Sequence, residues 1–338
     1  MPVTRQPGEF TVESIDDYLG PASNRFFGSG YRRVRYRVDD LLLGSGSRDS
    51  GAGSARVDAR VAIGYPGDWS TKAAAEQLRP HLSTVDALVL GARLSRLLLA
   101  AVPGLDEGAR GAAWLRRVEI KASAAPVEEG LDALPVTAEL RSTTPDGRRA
   151  ASVVGATVGP MKVRCEWVHR RPGAAGARHE LAELVAAMDD GPYGLALHDQ
   201  RQAIEQVDVA VAQSRARALV SVLPLDDHSP APVVSMVDAF VVSLQLGQVL
   251  LYELDGVERA RSNTLWMRST TLTCDGPHRA TDAPFQATAS LADARLLTAR
   301  GGTWRAASIT GESLGMRTHC AVAHQLPDTH RVPPALVA

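Results

Sequence analysis

The chain has 338 residues, and its 37 basic and 38 acidic side chains leave a formal charge of −1. The two signs are interleaved along the sequence, which excludes the electrostatic footprint of a nucleic-acid binder or of a protein held on an anionic membrane. The length exceeds a typical domain of roughly 100–200 residues, so two modules or one large composite with a sizeable core are expected.

Cys165, Cys274 and Cys320 have neither CxxC spacing nor nearby paired histidines, which argues against a zinc site and a disulfide framework. They read as core thiols in a reducing setting. The first twenty residues lack an apolar signal core, so a cytoplasmic location is the expectation.

In chain order, "SIDDYLGPASNRFFGSGYRRV" from Ser14 is dense in aromatics for a chain with only 5% of them. It reads as a capped turn with an aromatic plug, in which Tyr18, Arg25, Phe26 and Phe27 could cover the mouth of a tunnel. Alternating apolar and polar residues in "YRRVRYRVDDLLLG" from Tyr31 and "ARVDARVAIGY" from Ala55 predict half-buried strands. The Gly/Ser-rich stretch from Gly44 between them reads as a mobile hairpin loop, too short for a domain linker. It is no phosphate loop, since it lacks a Lys and a strand-to-helix context; the same holds for "GSG" at Gly28.

"VDALVLGARLSRLLLA" from Val85 is apolar on nearly all sides, which predicts a buried helix. Polar residues interrupt every stretch of about 18 residues in it and in its later echo, so neither reads as membrane-spanning. "WLR" at Trp114, a "TPDG" turn at Thr144, "RAASVVGATVG" from Arg149 and "MKVRC" from Met161 follow. "RRPGAAGARHE" then reads as a flexible hinge, and "HELAELVAAMDD" as a short linker helix.

Beyond the hinge the pattern repeats. "VDAFVVSLQLGQVLLY" from Val237 echoes the first greasy helix at an offset of 152 residues, and the same offset carries "WLR" onto "WMR" at Trp266. "RAASITGESLG" from Arg305 and "MRTHC" from Met316 echo the later blocks in the same order. Such ordered self-similarity marks a duplication. Each copy has amino-terminal β segments, a buried helix and three β-like runs, with turns such as "TPDG" and "ARGG" closing antiparallel hairpins.

A long buried helix wrapped by a curved antiparallel sheet is the hotdog arrangement. The predicted fold is therefore α+β, a tandem double hotdog whose two sheets join edge to edge so that each loses an exposed edge. The predicted boundaries are 1–170 for an extension and the first repeat, 171–190 for the linker, and 191–338 for the second repeat. The duplication supplies the usual dimer contact internally, leaving a monomeric pseudo-dimer or a homodimer.

Asp86 and Asp238 occupy equivalent first-turn positions of the two greasy helices. A helix amino terminus can hold a carboxylate or receive a thioester oxyanion, which suggests acid/base chemistry on an acyl thioester; Asp also caps helices routinely. His228, ten residues before Asp238 on an extended Pro-containing approach, is the candidate proton-transfer group, tuned by that carboxylate. The first copy has Asp68 and Trp69 in place of Asp227 and His228, with His81 five residues before Asp86, so the second half is the expected catalytic one.

Arg116 and Arg268 follow Trp114 and Trp266 by two residues, a spacing that puts each pair on one face of a strand. Such an Arg could bind phosphate or carboxylate in a tunnel, or snorkel across the sheet to solvent. Gln245 and Gln248 lie on the second helix, and a buried Gln there needs a ligand or an internal partner.

The stretch from Ser14 resembles the start of the avirulence D (AvrD) family, and the similarity continues through the duplicated body. The second half, with "DDHSPAPVVSMVDA", also resembles the A-factor synthase family and hotdog dehydratases, in which a His precedes a helix that starts with an acidic residue. The resemblance implies condensation of a β-ketoacyl thioester, carried by acyl carrier protein or coenzyme A, with a small sugar, a ketopentose or a triose phosphate, to make a lipid signalling precursor. Such a condensation needs no metal or redox cofactor. Val242 stands where many dehydratase relatives carry Gln or His, which speaks against simple dehydration. The alternatives are a hydratase, dehydratase or thioesterase of acyl thioesters, and a non-catalytic double hotdog that holds a hydrophobic ligand. Asp238→Asn separates catalyst from cap: the first loses turnover, the second only about 0.5–2 kcal/mol of stability.

Overall fold

A computed structural model describes residues 5–6, 8–45, 55–71, 78–102, 105–123, 125–173, 181–277, 283–299 and 301–327. Most of the Gly/Ser-rich loop after Gly44 and of the predicted hinge falls outside them. The chain opens with strands β1 (Arg5–Gln6) and β2 (Glu9–Ser14) and helical turns α1 (Ile15–Leu19) and α2 (Tyr31–Arg33). The first half then runs through β3 (Arg35–Ser45), β4 (Ala55–Gly64), helix α3 (Thr84–Ala100), α4 (Glu107–Gly111), β5 (Trp114–Lys121), β6 (Leu134–Asp146), β7 (Arg149–Val158) and β8 (Met161–Arg170). Linker helix α5 (Leu181–Asp189) leads to the second half: β9 (Gln200–Ala210), β10 (Arg215–Pro224), helix α6 (Met236–Asp255), β11 (Trp266–Cys274), β12 (Phe285–Ala299), β13 (Gly302–Ser313) and β14 (Met316–Gln325).

Among the described residues fourteen strands form one sheet in the order β1-β2-β9-β10-β12-β13-β14-β11-β5-β8-β7-β6-β4-β3. Outward from the β11–β5 junction, where Thr271 faces Glu119 and Leu272 faces Val118, the six strands to β9 match the six to β3, and β2 and β1 continue the sheet beyond β9. Thr271 and Glu119 stand at the duplication offset from each other, so a pseudo-twofold axis passes through that pair. The two halves thus share one sheet, α3 and α6 lie buried within it, and the arrangement is a double hotdog. Joining at β11 and β5 removes two edges that would otherwise template aggregation.

Both central helices are shut off from water. Leu88, Leu94 and Leu98 of α3 and Phe240, Leu244 and Leu246 of α6 are 0–1% exposed, and burying each such side chain contributes roughly 1.5–3 kcal/mol. α6 is long and apolar enough to cross a membrane, but 83% of its apolar window is packed inside the protein. It ends where Gly256 adopts φ 61°, a left-handed conformation suited to glycine. Small residues set the depth of packing: a Cβ on Gly247 would sit 2.5 Å from Ile309 Cδ1 of β13. Cys165 and Cys320, equivalent residues of β8 and β14, are fully buried, and burial pushes both thiols up to about 12.

The structure departs from the sequence expectation in three respects. Four strands rather than three follow each central helix, because the "MKVRC" and "MRTHC" blocks open β8 and β14. The first strand of the first repeat, β3, starts at Arg35 rather than Tyr31, since Tyr31–Arg33 form a helical turn. The amino-terminal extension, grouped by sequence with the first repeat, serves the second: β2 pairs with β9, with Phe10 opposite Val209 and Val12 opposite Val207.

Candidate functional site

The two helix amino termini are built alike. Ser83 and Ser235 are N-caps, and Asp86 and Asp238 close capping boxes by accepting the backbone N–H of the cap residue at 2.7 and 2.8 Å. What else each carboxylate holds differs. Asp238, 1% exposed, accepts from the guanidinium of Arg32 in α2, from Gln202 Nε2 at 3.2 Å and from Ser235 Oγ at 2.7 Å. Asp86, fully buried, accepts from Tyr36 Oη at 2.7 Å, from Tyr65 Oη and from Ser83 Oγ at 2.7 Å.

Among the described residues the donors to Asp86 are therefore all neutral. Burial raises its pKa, against the opposing pull of hydrogen bonds from Tyr65, Ser83 and Tyr36. The Tyr65 hydroxyl also lies 2.8 Å from the carbonyl oxygen of His81. The Tyr65 hydroxyl thus stands between the Asp86 carboxylate and that carbonyl. Burial and the Asp86 charge in turn hold the Tyr36 and Tyr65 hydroxyls well above the ordinary tyrosine range. Through Tyr65, Asp86 fixes the backbone at His81.

His81 faces a cavity of about 490 Å³ at the amino end of α3. Its half-buried ring lies 5.5 Å from that of Trp69 and 5.2 Å from that of Trp266. Both halves and the extension build the walls: Phe26, Phe27, Leu78, Leu82 and Met161 meet Leu265, Met267, Gln248 and Tyr252. Arg25, Arg259 and Arg268 also line it, and no Asp or Glu does among the described residues.

The pseudo-twofold axis relates this space to a second cavity of about 980 Å³, lined by Trp114 where the first has Trp266 and by Val233 where the first has His81. Glu107 and Asp190 also line it, and Tyr193 and Pro192 form part of its wall. The duplicated cavity is the larger, but it lacks the histidine. Near Asp238 the amino-terminal extension supplies two arginines, although Arg25 Nε, Arg32 Nε and Gln202 Oε1 are buried there without a hydrogen-bond partner among the described residues. Arg32 ties Asp238 to the Leu197 carbonyl, and Arg25 bridges Asp16 and Gln245.

Set against the sequence expectations, the structure brings Trp266, Arg268 and Phe27 together at the cavity with His81. It does not bring His228 to Asp238. His228 is exposed in a turn whose backbone N–H donates to Asp226 at 2.9 Å, while Asp238 is sealed under Arg32. The extended approach carries the histidine outward along the surface instead of back over the helix. Gln245 has an internal partner, Arg25. Tyr18 lies away from the cavity, donating to Glu253 at 2.7 Å and stacking on Phe10.

Trp114 and Arg116, like Trp266 and Arg268, do not follow simple strand alternation. A bulge falls at each arginine, because Leu115 and Arg117 pair with consecutive residues of β8, and Met267 and Ser269 with consecutive residues of β14. Trp114 is buried against the second cavity, while Arg116 is ion-paired with Glu166 and Asp146. Sequence reasoning left His81 out of the candidate site. Its position at the start of the less regular copy gave a signal, but only folding showed that Trp266, 185 residues later, packs on it.

Among solved structures, the chain is similar to a tesB protein of Mycobacterium avium subsp. paratuberculosis (14% identity, 80% of this chain and 93% of that one, TM-score 0.37). It is also similar to a 12:0-ACP thioesterase of Umbellularia californica (12%, 86% and 97%, 0.36) and to a dehydratase domain of a mycocerosic acid synthase-like polyketide synthase (11%, 86% and 96%, 0.39). A comparison with curated proteins finds no match. The family described as Pseudomonas avirulence D protein (AvrD) matches residues 10–327, nearly the whole duplicated body together with the extension that serves its second half, and the chain belongs to that family.

Proposed function

We propose that this protein condenses a β-ketoacyl thioester with a small sugar, a ketopentose or a triose phosphate, in the cavity at the amino end of α3. The observation that carries the reading is the juxtaposition there of an apolar, aromatic-lined space with one histidine at a helix amino terminus. The acyl chain lies against Phe26, Phe27, Leu82 and Met161, and the thioester carbonyl faces the first turn of α3, whose amide dipoles favour developing negative charge. His81 takes the proton of a sugar hydroxyl as the hydroxyl oxygen attacks the thioester carbon. The C–S bond then breaks, and the departing thiolate recovers the proton from His81. Asp86, two bonds removed through Tyr65, positions the His81 backbone rather than touching substrate.

The test is mass spectrometry of the protein incubated with a medium-chain β-ketoacyl thioester, with and without xylulose or dihydroxyacetone phosphate. A sugar–acyl adduct made by the wild type and lost in His81→Ala supports the reading. Thiol release that ignores the sugar makes the protein a thioesterase at the same site. Acyl binding without turnover makes it a binding protein.

A further inference from the structure

Arg116 and Arg268 are the same residue of the duplication, and each is the extra residue of a β-bulge, a device that re-aims a side chain. Their surroundings have diverged in charge. Arg116 donates to Glu166 at 2.8 Å through Nε and to Asp146 at 2.7 Å. The pairing register identifies the counterparts of those carboxylates. Glu166 pairs with Arg117, and the residue paired with Ser269, one after Arg268, is Ala321. Asp146 pairs with Arg149, and the residue paired with Arg305, which matches Arg149 in the repeat, is Leu296. Both acids are therefore gone in the second half.

Arg268 instead lines the cavity, with no ion-pair partner among the described residues. Arg259 lines the same space, and among the described residues its guanidinium donates to the backbone carbonyls of Asn24 and Thr71, each at 3.1 Å. The third arginine of the wall, Arg25, is already neutralised by Asp16. Among the described residues the cavity thus carries two guanidinium charges without a paired carboxylate, beside the polar side chains of Asn263 and Thr264.

We propose that Arg259 and Arg268 form a phosphate-binding subsite of this cavity, so that one of the two substrates enters as a phosphate ester. A phosphate monoester carries about −1.5 to −2 charge near neutral pH, which matches two guanidinium groups, and a guanidinium fork fits its oxygens. The phosphate arrives either as a monoester on the sugar or as the phosphodiester or pyrophosphate that ends the phosphopantetheine arm of the thiol carrier, which offers the same guanidinium fork anionic oxygens with less charge per phosphorus. The inference rests on the condensation reading and sharpens it.

Two pairs of compounds distinguish the sources by isothermal titration calorimetry, without turnover: dihydroxyacetone phosphate against dihydroxyacetone, and coenzyme A against pantetheine. The phosphorylated member of one pair should bind at least 10-fold more tightly than its partner. Arg268→Gln and Arg259→Gln should each remove about 10- to 100-fold of that affinity, the loss of one charge-assisted contact. Arg116→Gln, which removes an ion-paired arginine, should leave it unchanged, and thermal melts should show the Gln variants folded. Equal binding within both pairs, or phosphate binding that ignores both cavity arginines, overturns the subsite. The two readings fail separately. Adduct formation from unphosphorylated sugar and an acyl-pantetheine, indifferent to Arg268→Gln, upholds condensation without the subsite, whereas arginine-dependent phosphate binding with no adduct under any condition does the reverse.

Discussion

Asp86 and Asp238 hold the same capping-box position in two copies of one helix, yet Tyr36 and Tyr65 hydroxyls surround the first while the Arg32 guanidinium closes over the second. Duplication copied the cap, and divergence then gave one carboxylate neutral neighbours and the other a cation from the amino-terminal extension. The ends of the two helices have become chemically different places, with the histidine-bearing cavity beside only one of them.

The Arg32–Asp238 pair is buried on both sides, with side chains 6% and 0% exposed. Removing one partner of such a pair costs about 3–5 kcal/mol, since the other charge stays buried and uncompensated. Asp238→Asn should therefore lower the urea unfolding midpoint substantially, and adding Arg32→Met should restore much of the loss. Adduct formation per folded molecule should be unchanged. Loss of activity in a fully stable Asp238→Asn would instead return chemistry to the second half.

His81→Gln should reduce adduct formation by roughly 10²–10⁴-fold, the usual contribution of a general base. It should leave the melting temperature nearly unaltered, because among the described residues the half-buried ring makes one side-chain hydrogen bond, a long one of 3.4 Å to the Arg79 carbonyl. His228→Ala, on an exposed turn, should retain full activity. The comparison of initial rates for the two variants decides which histidine works.

Asp86 gives a pH signature. Its pKa in the folded protein lies above its unfolded value because of burial, so between those two values the folded state binds more protons and stability falls as pH rises. Asp86→Asn has no such proton. Urea unfolding from pH 4 to 7.5 should therefore show wild-type stability declining relative to the variant as pH rises through that window. A constant difference would mean that Asp86 is ionised throughout.

Gly247→Ala probes the packing of α6 on β13. The added carbon would stand 2.5 Å from Ile309 Cδ1 and 2.8 Å from Cγ2, and overpacking a filled core costs about 1–3 kcal/mol. Ile309→Val in the same chain should recover part of the loss, measured by thermal unfolding.

The duplication was readable because both copies keep their apolar helices and strand blocks at fixed offsets, and the burial of a helix that is greasy on all sides follows from the hydrophobic effect alone. That reasoning reached the double hotdog, the edge-to-edge junction and the helix-start aspartates. It could not place the amino-terminal extension, since the pairing of β2 with β9 and the reach of Arg32 to Asp238 span about two hundred residues of sequence and leave no local pattern.

The sequence by itself determined the repeated core, since side-chain period and apolar content are local properties. Only the tertiary structure decided which helix start opens onto a histidine-bearing cavity, that His81 meets Trp266 there, and that Arg268 stands without the carboxylates that hold Arg116. Those outcomes depend on which distant side chains arrive at each end of a pseudo-symmetric fold, and the symmetry of the pattern cannot express how its two ends differ.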